Sequence, residues 1–143
     1  MSNSAKCLSV EQAKVFVNIY TQLDENGYLK LNNSGDVYMP LVVERLFPVN
    51  FEKKQFQQIS FAHYFEQCGD LMADPEMIFL FDPESPERII PIYFKNDSMG
   101  KEEESIAFEN GECKGWRKNL QSQHQVFADM WLNNIMQQQN ISI

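Results

Sequence analysis

The chain has 143 residues, eleven Phe among them, with a net charge of −8 and a pI of about 4.7. Its length is that of one domain able to bury a core without metal or disulfide, and its 43% hydrophobic content excludes a disordered chain. The acidity argues against direct binding of nucleic acid, which leaves a basic footprint, and against an acidic membrane leaflet.

Residues 1–8 are expected as a flexible tail, and residues 9–143 as one domain. Ser9 suits an N-cap with Gln12 as its capping-box partner. A helix is expected from Val10 to Leu23, with Ala13, Phe16, Val17, Tyr20 and Leu23 on one face. Tyr28 to Leu31 suits a short strand, and residues 32–36 a turn. Pro40 to Leu46 is read as a short helix, because Pro40 fits a first turn, although Val42 and Val43 favour a strand.

From Ile59 the period switches to two. Ile59, Phe61, His63 and Phe65 share one face of a strand, and Ser60, Ala62, Tyr64 and Glu66 the other. Cys68 to Asp70 turns the chain, and Asp74 with Pro75 is expected to turn it again. Met77 to Phe81 is apolar on both faces, hence a central strand. Arg88 to Lys95 is a third strand, which Pro91 places at an edge or forces to bulge, since proline lacks a ladder donor. Glu104 to Glu109 is a fourth, closed by Asn110 and Gly111. A helix from Lys114 to Gln138 carries Trp116, Leu120, Phe127, Trp131 and Ile135 at helical spacing. The predicted fold is α+β: an antiparallel β-sheet meander of about four strands, flanked by an N-terminal helix and a long C-terminal amphipathic helix.

Cys7, Cys68 and Cys113 are odd in number, widely spaced and without a CxxC, which excludes a disulfide framework or zinc module. A reducing compartment fits. No signal-peptide run opens the chain, and no stretch approaches the ~20 apolar residues that span a bilayer. A cytoplasmic protein with no membrane association is expected.

His63, Glu66, Asp70, Asp74 and Glu76 form the densest group of potential ligands. The parity of a strand separates His63 from Glu66, and a histidine among Ile59, Phe61 and Phe65 suits a hydrogen-bonded core residue. Asp70 after Gly69 and Asp74 before Pro75 suit loop architecture. The candidate functional surface is therefore the rigid ridge of His63, Tyr64, Glu66, Asp70, Asp74 and Glu76. A second candidate is an acidic ridge of Glu102, Glu103, Glu104 and Glu109. Its charge serves to blunt a sheet edge, or to engage a basic surface as DNA-imitating proteins do. Neither His63 nor His124 stands beside a Ser or Cys at a motif spacing. GxGxxG, GKS/T and HExxH are all missing. No catalytic residue, metal or cofactor is assigned.

The segment ISFAHYFEQCGDLMADPEM, Ile59 to Met77, resembles the signature of an uncharacterised bacterial domain family that recurs in conjugative elements, phages and plasmids. The pattern there is His-Tyr, then Glu-Gln-Asn-Gly-Asp-Leu, then Asp-Pro-x-Met. The likeness reaches upstream to Met39–Glu44 and downstream through Met99 and Gly100 to FADMWLNNI at Phe127–Ile135, covering all but the N-terminal quarter. Cys68 stands where the family has Asn. Since Asn-Gly tolerates positive φ better than Cys-Gly, either the turn is not of the primed type or Cys68 is strained. The resemblance implies an accessory role in transfer, maintenance or evasion of host defence.

Three readings follow. The first is a non-catalytic interaction protein with a protein partner, in its sharpest form a host-defence antagonist that binds a basic nuclease or restriction protein. The second is a metal-assisted hydrolase using His63, Asp70 and Asp74. The third is a structural or dimeric component, a homodimer being one form of it, and it rests on the long final helix.

Overall fold

In the computed structural model, which describes residues 4–143, two long antiparallel strands form the spine. They are β4 (Lys54–Gln67) and β5 (Asp70–Phe81). Ahead of them come helix α1 (Val10–Tyr20) and strands β1 (Tyr28–Leu31), β2 (Leu41–Arg45) and β3 (Val49–Phe51). After them come β6 (Ile90–Asn96), β7 (Lys101–Glu104), β8 (Ile106–Glu109), β9 (Glu112–Trp116) and helix α2 (Lys118–Gln138).

The expected four-strand meander is therefore wrong. The sheet has nine strands in the order β7-β6-β5-β4-β3-β9-β8, with β1 and β2 branching from β4. It curls until its ends nearly meet: Ser105, between β7 and β8, donates its N–H to the Ile92 carbonyl of β6 at 2.9 Å. A parallel contact between β3 and β9, Asn50 opposite Glu112, completes the barrel. A local reading cannot see this closure, because β3 and β9 are short and their pairing is non-local.

Several local expectations change with it. Residues 41–45 form strand β2 and not a helix, since Leu41 and Val43 are fully buried in alternation. Their β-branched character outweighs the preference of Pro40 for a helix start. Asp74 and Pro75 do not turn the chain. They lie within β5 opposite His63, where the pairing of Ala62 with Glu76 shifts to that of Tyr64 with Ala73. The expected fourth strand, Glu104 to Glu109, is β8 from Ile106 on, while Glu104 ends a separate strand β7 and Ser105 breaks the two apart. Trp116 belongs to β9, so α2 starts later than its apolar spacing suggests. At Pro91 the sequence and the structure agree: β6 bulges there, with Ile92 as the extra residue.

Strand parity divides the interior into two cores. Ile59, Phe61, Met77 and Phe79 pack with Phe16 of α1 and with Trp131, Leu132 and Ile135 of α2. The Phe16 and Phe61 rings stack at 4.9 Å. The opposite face fills the barrel with Phe51, Phe56, Leu80, Ile90, Ile92 and Ile106.

Ser9 is the N-cap residue of α1 but makes no side-chain cap bond. Its hydroxyl donates to Asp129 of α2 at 2.6 Å, so it ties the two helices together and does not form a capping box with Gln12. Of the expected tail, residues 1–3 lie outside the described residues, while Ala5 and Leu8 are buried. Fully buried Gln121 secures that segment: it accepts from the Lys6 N–H at 2.7 Å and donates to the carbonyls of Lys6 (2.8 Å) and Pro91 (3.0 Å). Among the described residues no helix is long and apolar enough to cross a membrane.

Candidate functional site

The sheet face that lines the barrel continues past it, on the side away from α1 and α2. Register aligns Tyr28, Glu44, Ser60, Ile78, Tyr93 and Glu104 in one row across β1, β2, β4, β5, β6 and β7. The next row is Lys30, Val42, Ala62, Glu76, Lys95 and Glu102. Because side chains alternate across a strand, both rows face away from α1 and α2. Small residues, Ser60 and Ala62, sit in the middle with the longer polar side chains around them.

Glu76 stands on the central strand of this face. Burial raises its carboxyl pKa, Lys95 opposes that rise, and Glu44, Asp97 and Glu102 add to it. Burial first, then Glu76 and Glu44, pushes the Tyr64 phenol up to about 12. The Tyr93 hydroxyl donates to Glu102, and burial followed by that bond raises its pKa strongly. The face is thus a field of carboxylates and protonated phenols.

The two ridges expected from the sequence are arranged differently in space. Tyr64 and Glu76 lie on the open face. His63 points the other way, 6% exposed, with its ring edge-on to Trp131 at 5.4 Å. Its Nε2 has no hydrogen-bond partner among the described residues, so the hydrogen bond expected of a core histidine is missing at that nitrogen. Burial lowers its pKa, and Asp74 opposes the effect. Asp74 accepts from the Asn96 amide at 3.0 Å. Asp70 is exposed at the hairpin tip, and Glu66 is exposed near it. In the acidic ridge, Glu102 and Glu104 share the open face, Glu103 turns to the helix side, and Glu109 lies 3.8 Å from Lys114 in the β8–β9 hairpin.

The metal-assisted alternative required His63, Asp70 and Asp74 to converge. Among the described residues no three His, Cys, Asp or Glu side chains are grouped so as to hold a metal ion.

One constellation was invisible in the sequence. His124 of α2 places Nδ1 at 2.8 Å from Ser105 Oγ and Nε2 at 3.1 Å from Glu103 Oε1. These are the residue types of a hydrolytic triad. Ser105, however, is 0% exposed, so its hydroxyl meets no substrate. The group works as a buried fastener between α2 and the barrel seam. Separation in sequence hid it, and no local pattern would have signalled it.

Beside the open face, Tyr28, Glu44, Tyr64 and Glu66 border a notch of about 400 Å³. None of the tyrosine hydroxyls or carboxylates in that group has a hydrogen bond or ion pair among the described residues.

A family model described as "Domain of unknown function (DUF6908)" matches residues 11–141. The match includes α1, which the resemblance read from the sequence did not reach. No curated protein and no solved structure matches the chain.

Proposed function

The chain belongs to the DUF6908 family of unknown function, and on that premise we propose that it is a non-catalytic accessory protein whose open, acidic sheet face binds a basic surface of another protein. One observation carries the reading: Glu44, Glu76, Glu102 and Glu104 share an uncovered face on which Lys30 and Lys95 are the only cations of the two aligned rows. Glu76 adds weight to it. A half-buried carboxylate with a raised pKa is a cost to the free protein, and an incoming cation would remove that cost. A complementary field also speeds encounter and selects partners of opposite charge.

The resemblance of Ile59–Met77 to sequences carried on conjugative elements, phages and plasmids supplies the setting. In that setting the sharpest form of the proposal is a cytoplasmic antagonist of host defence that binds a basic nuclease or restriction protein.

Calorimetric titration against a panel of purified basic nucleases and restriction proteins tests it, at low and high salt. A micromolar complex that weakens with salt and is lost in an E102K/E104K variant supports the reading. No complex with any of the panel at micromolar concentration removes the host-defence form.

A further inference from the structure

The notch beside Glu44 is more specific than the acidic face around it. Tyr28 and Glu44 are cross-strand partners on β1 and β2. Tyr64 of β4 lines the same notch. Glu66 lines it as well. Val42 and Leu71 supply apolar contact, and Leu71 is 63% exposed. The lining therefore offers two tyrosine rings and Phe65, two carboxylates, one lysine and an apolar wall. The cavity of about 400 Å³ is far smaller than a folded partner and of a size to admit one long side chain.

That combination selects among ligands. An apolar side chain would bury the carboxylates without pairing them, which is unfavourable. An anion would be repelled by Glu44 and Glu66. A cation with an aliphatic stem satisfies the carboxylates, the rings and the apolar wall, and only Lys30 opposes it. Between lysine and arginine, the two faces of a planar guanidinium suit two tyrosine rings, and its forked donors suit carboxylates in pairs. Lys30 also borders the notch but forms no ion pair with Glu44 or Glu66 among the described residues. The internal cation leaves both carboxylates available.

Resting on the interaction reading above, we infer that this notch is the anchor point of the interface and takes an arginine side chain of the partner, with its guanidinium against Tyr28 and Tyr64 and paired to Glu44 and Glu66. Interfaces concentrate their affinity in a few such buried anchors, and arginine is among the commonest.

The test uses the full chain and a minimal probe, N-acetyl-arginine methylamide, followed by amide chemical shifts. Saturable millimolar binding is expected, with shifts centred on Tyr28, Glu44, Tyr64, Glu66 and Leu71. The citrulline analogue, isosteric but uncharged, should bind roughly tenfold more weakly. So should arginine with an E44Q/E66Q variant, whose substitutions are isosteric and keep the spectrum of the folded protein. Shifts dispersed over the whole acidic face, or equal binding of citrulline and arginine, would overturn the inference. Because Glu102 and Glu104 are untouched in this variant, a basic partner that still binds it with full affinity removes the arginine anchor and leaves the broader interaction reading standing.

Discussion

The imidazole of His124 lies 2.8 Å from the hydroxyl of Ser105, and through that bond the last helix holds the residue at which the barrel closes. Ser105 is committed on its backbone as well: its N–H donates to Ile92, and its carbonyl accepts from the Arg117 N–H just before α2. Helix docking and barrel closure therefore share one buried joint.

The two buried histidines should respond oppositely to the same substitution. His124→Phe removes two hydrogen bonds and leaves Ser105 Oγ without its partner, so it should destabilise the protein by about 1–3 kcal/mol. His63→Phe keeps an aromatic edge against Trp131 and removes an unpartnered ring nitrogen. It should raise stability, by about 1 kcal/mol. Urea unfolding at neutral pH measures both.

Acid sensitivity follows from the same pair. Burial holds both imidazoles below their ordinary value of 6.5, with Glu103 opposing the effect at His124 and Asp74 at His63. The unfolded chain then binds more protons in the window beneath 6.5, so stability is complete above it and declines as pH falls through the folded values. Melting curves from about pH 7.5 to about pH 5 should show the decline, and His63→Phe should make it shallower.

Gln121→Leu tests whether the N-terminal segment is integral to the fold. The change leaves the Lys6 N–H and the Lys6 and Pro91 carbonyls without their present partner. A loss of about 2–3 kcal/mol is expected. Hydrogen exchange should show residues 4–8 losing protection ahead of the barrel.

Cys68 has φ of 53° and Gly69 has φ of 83°, so the β4–β5 hairpin turns through two left-handed residues. This is a primed turn, and it answers the question left by the sequence: Cys68 occupies a conformation that costs a non-glycine residue about 1–2 kcal/mol, which Asn tolerates better. Cys68→Asn should stabilise the protein by about 0.5–1 kcal/mol with no change in structure. A shift of the urea midpoint at constant slope is the expected sign.

Glu76→Gln separates function from stability. A carboxyl whose folded pKa is raised contributes its stability below the ordinary value of 4.5 and loses it as pH rises through the folded value. The variant should therefore melt higher than the parent at neutral pH, and the gap should close toward about pH 4. The same substitution should weaken binding of a basic partner.

Local pattern made some elements legible. Period two in Ile59–Phe65 and helical spacing in α1 and α2 record which face meets a core, and burial leaves that mark wherever it is one-sided. Pro91 announced its bulge, because a missing donor has a local consequence. The candidate site was legible only in fragments. The sequence singles out Tyr64, Glu76, Glu102 and Glu104, but not Tyr28, Glu44 and Tyr93, because they join the same face only through cross-strand register. Glu102 and Glu103 are neighbours in sequence and face opposite ways in the sheet.

Sequence alone, then, determined the first and last helices, the main strands and the acidity, since propensity, periodicity and charge are carried by neighbouring residues. The tertiary structure decided the closure of the barrel, the burial of Gln121 and His124, and which carboxylates stand together on an open face. Those depend on pairings between distant segments, and a polar residue buried with partners has the same local appearance as one exposed to water.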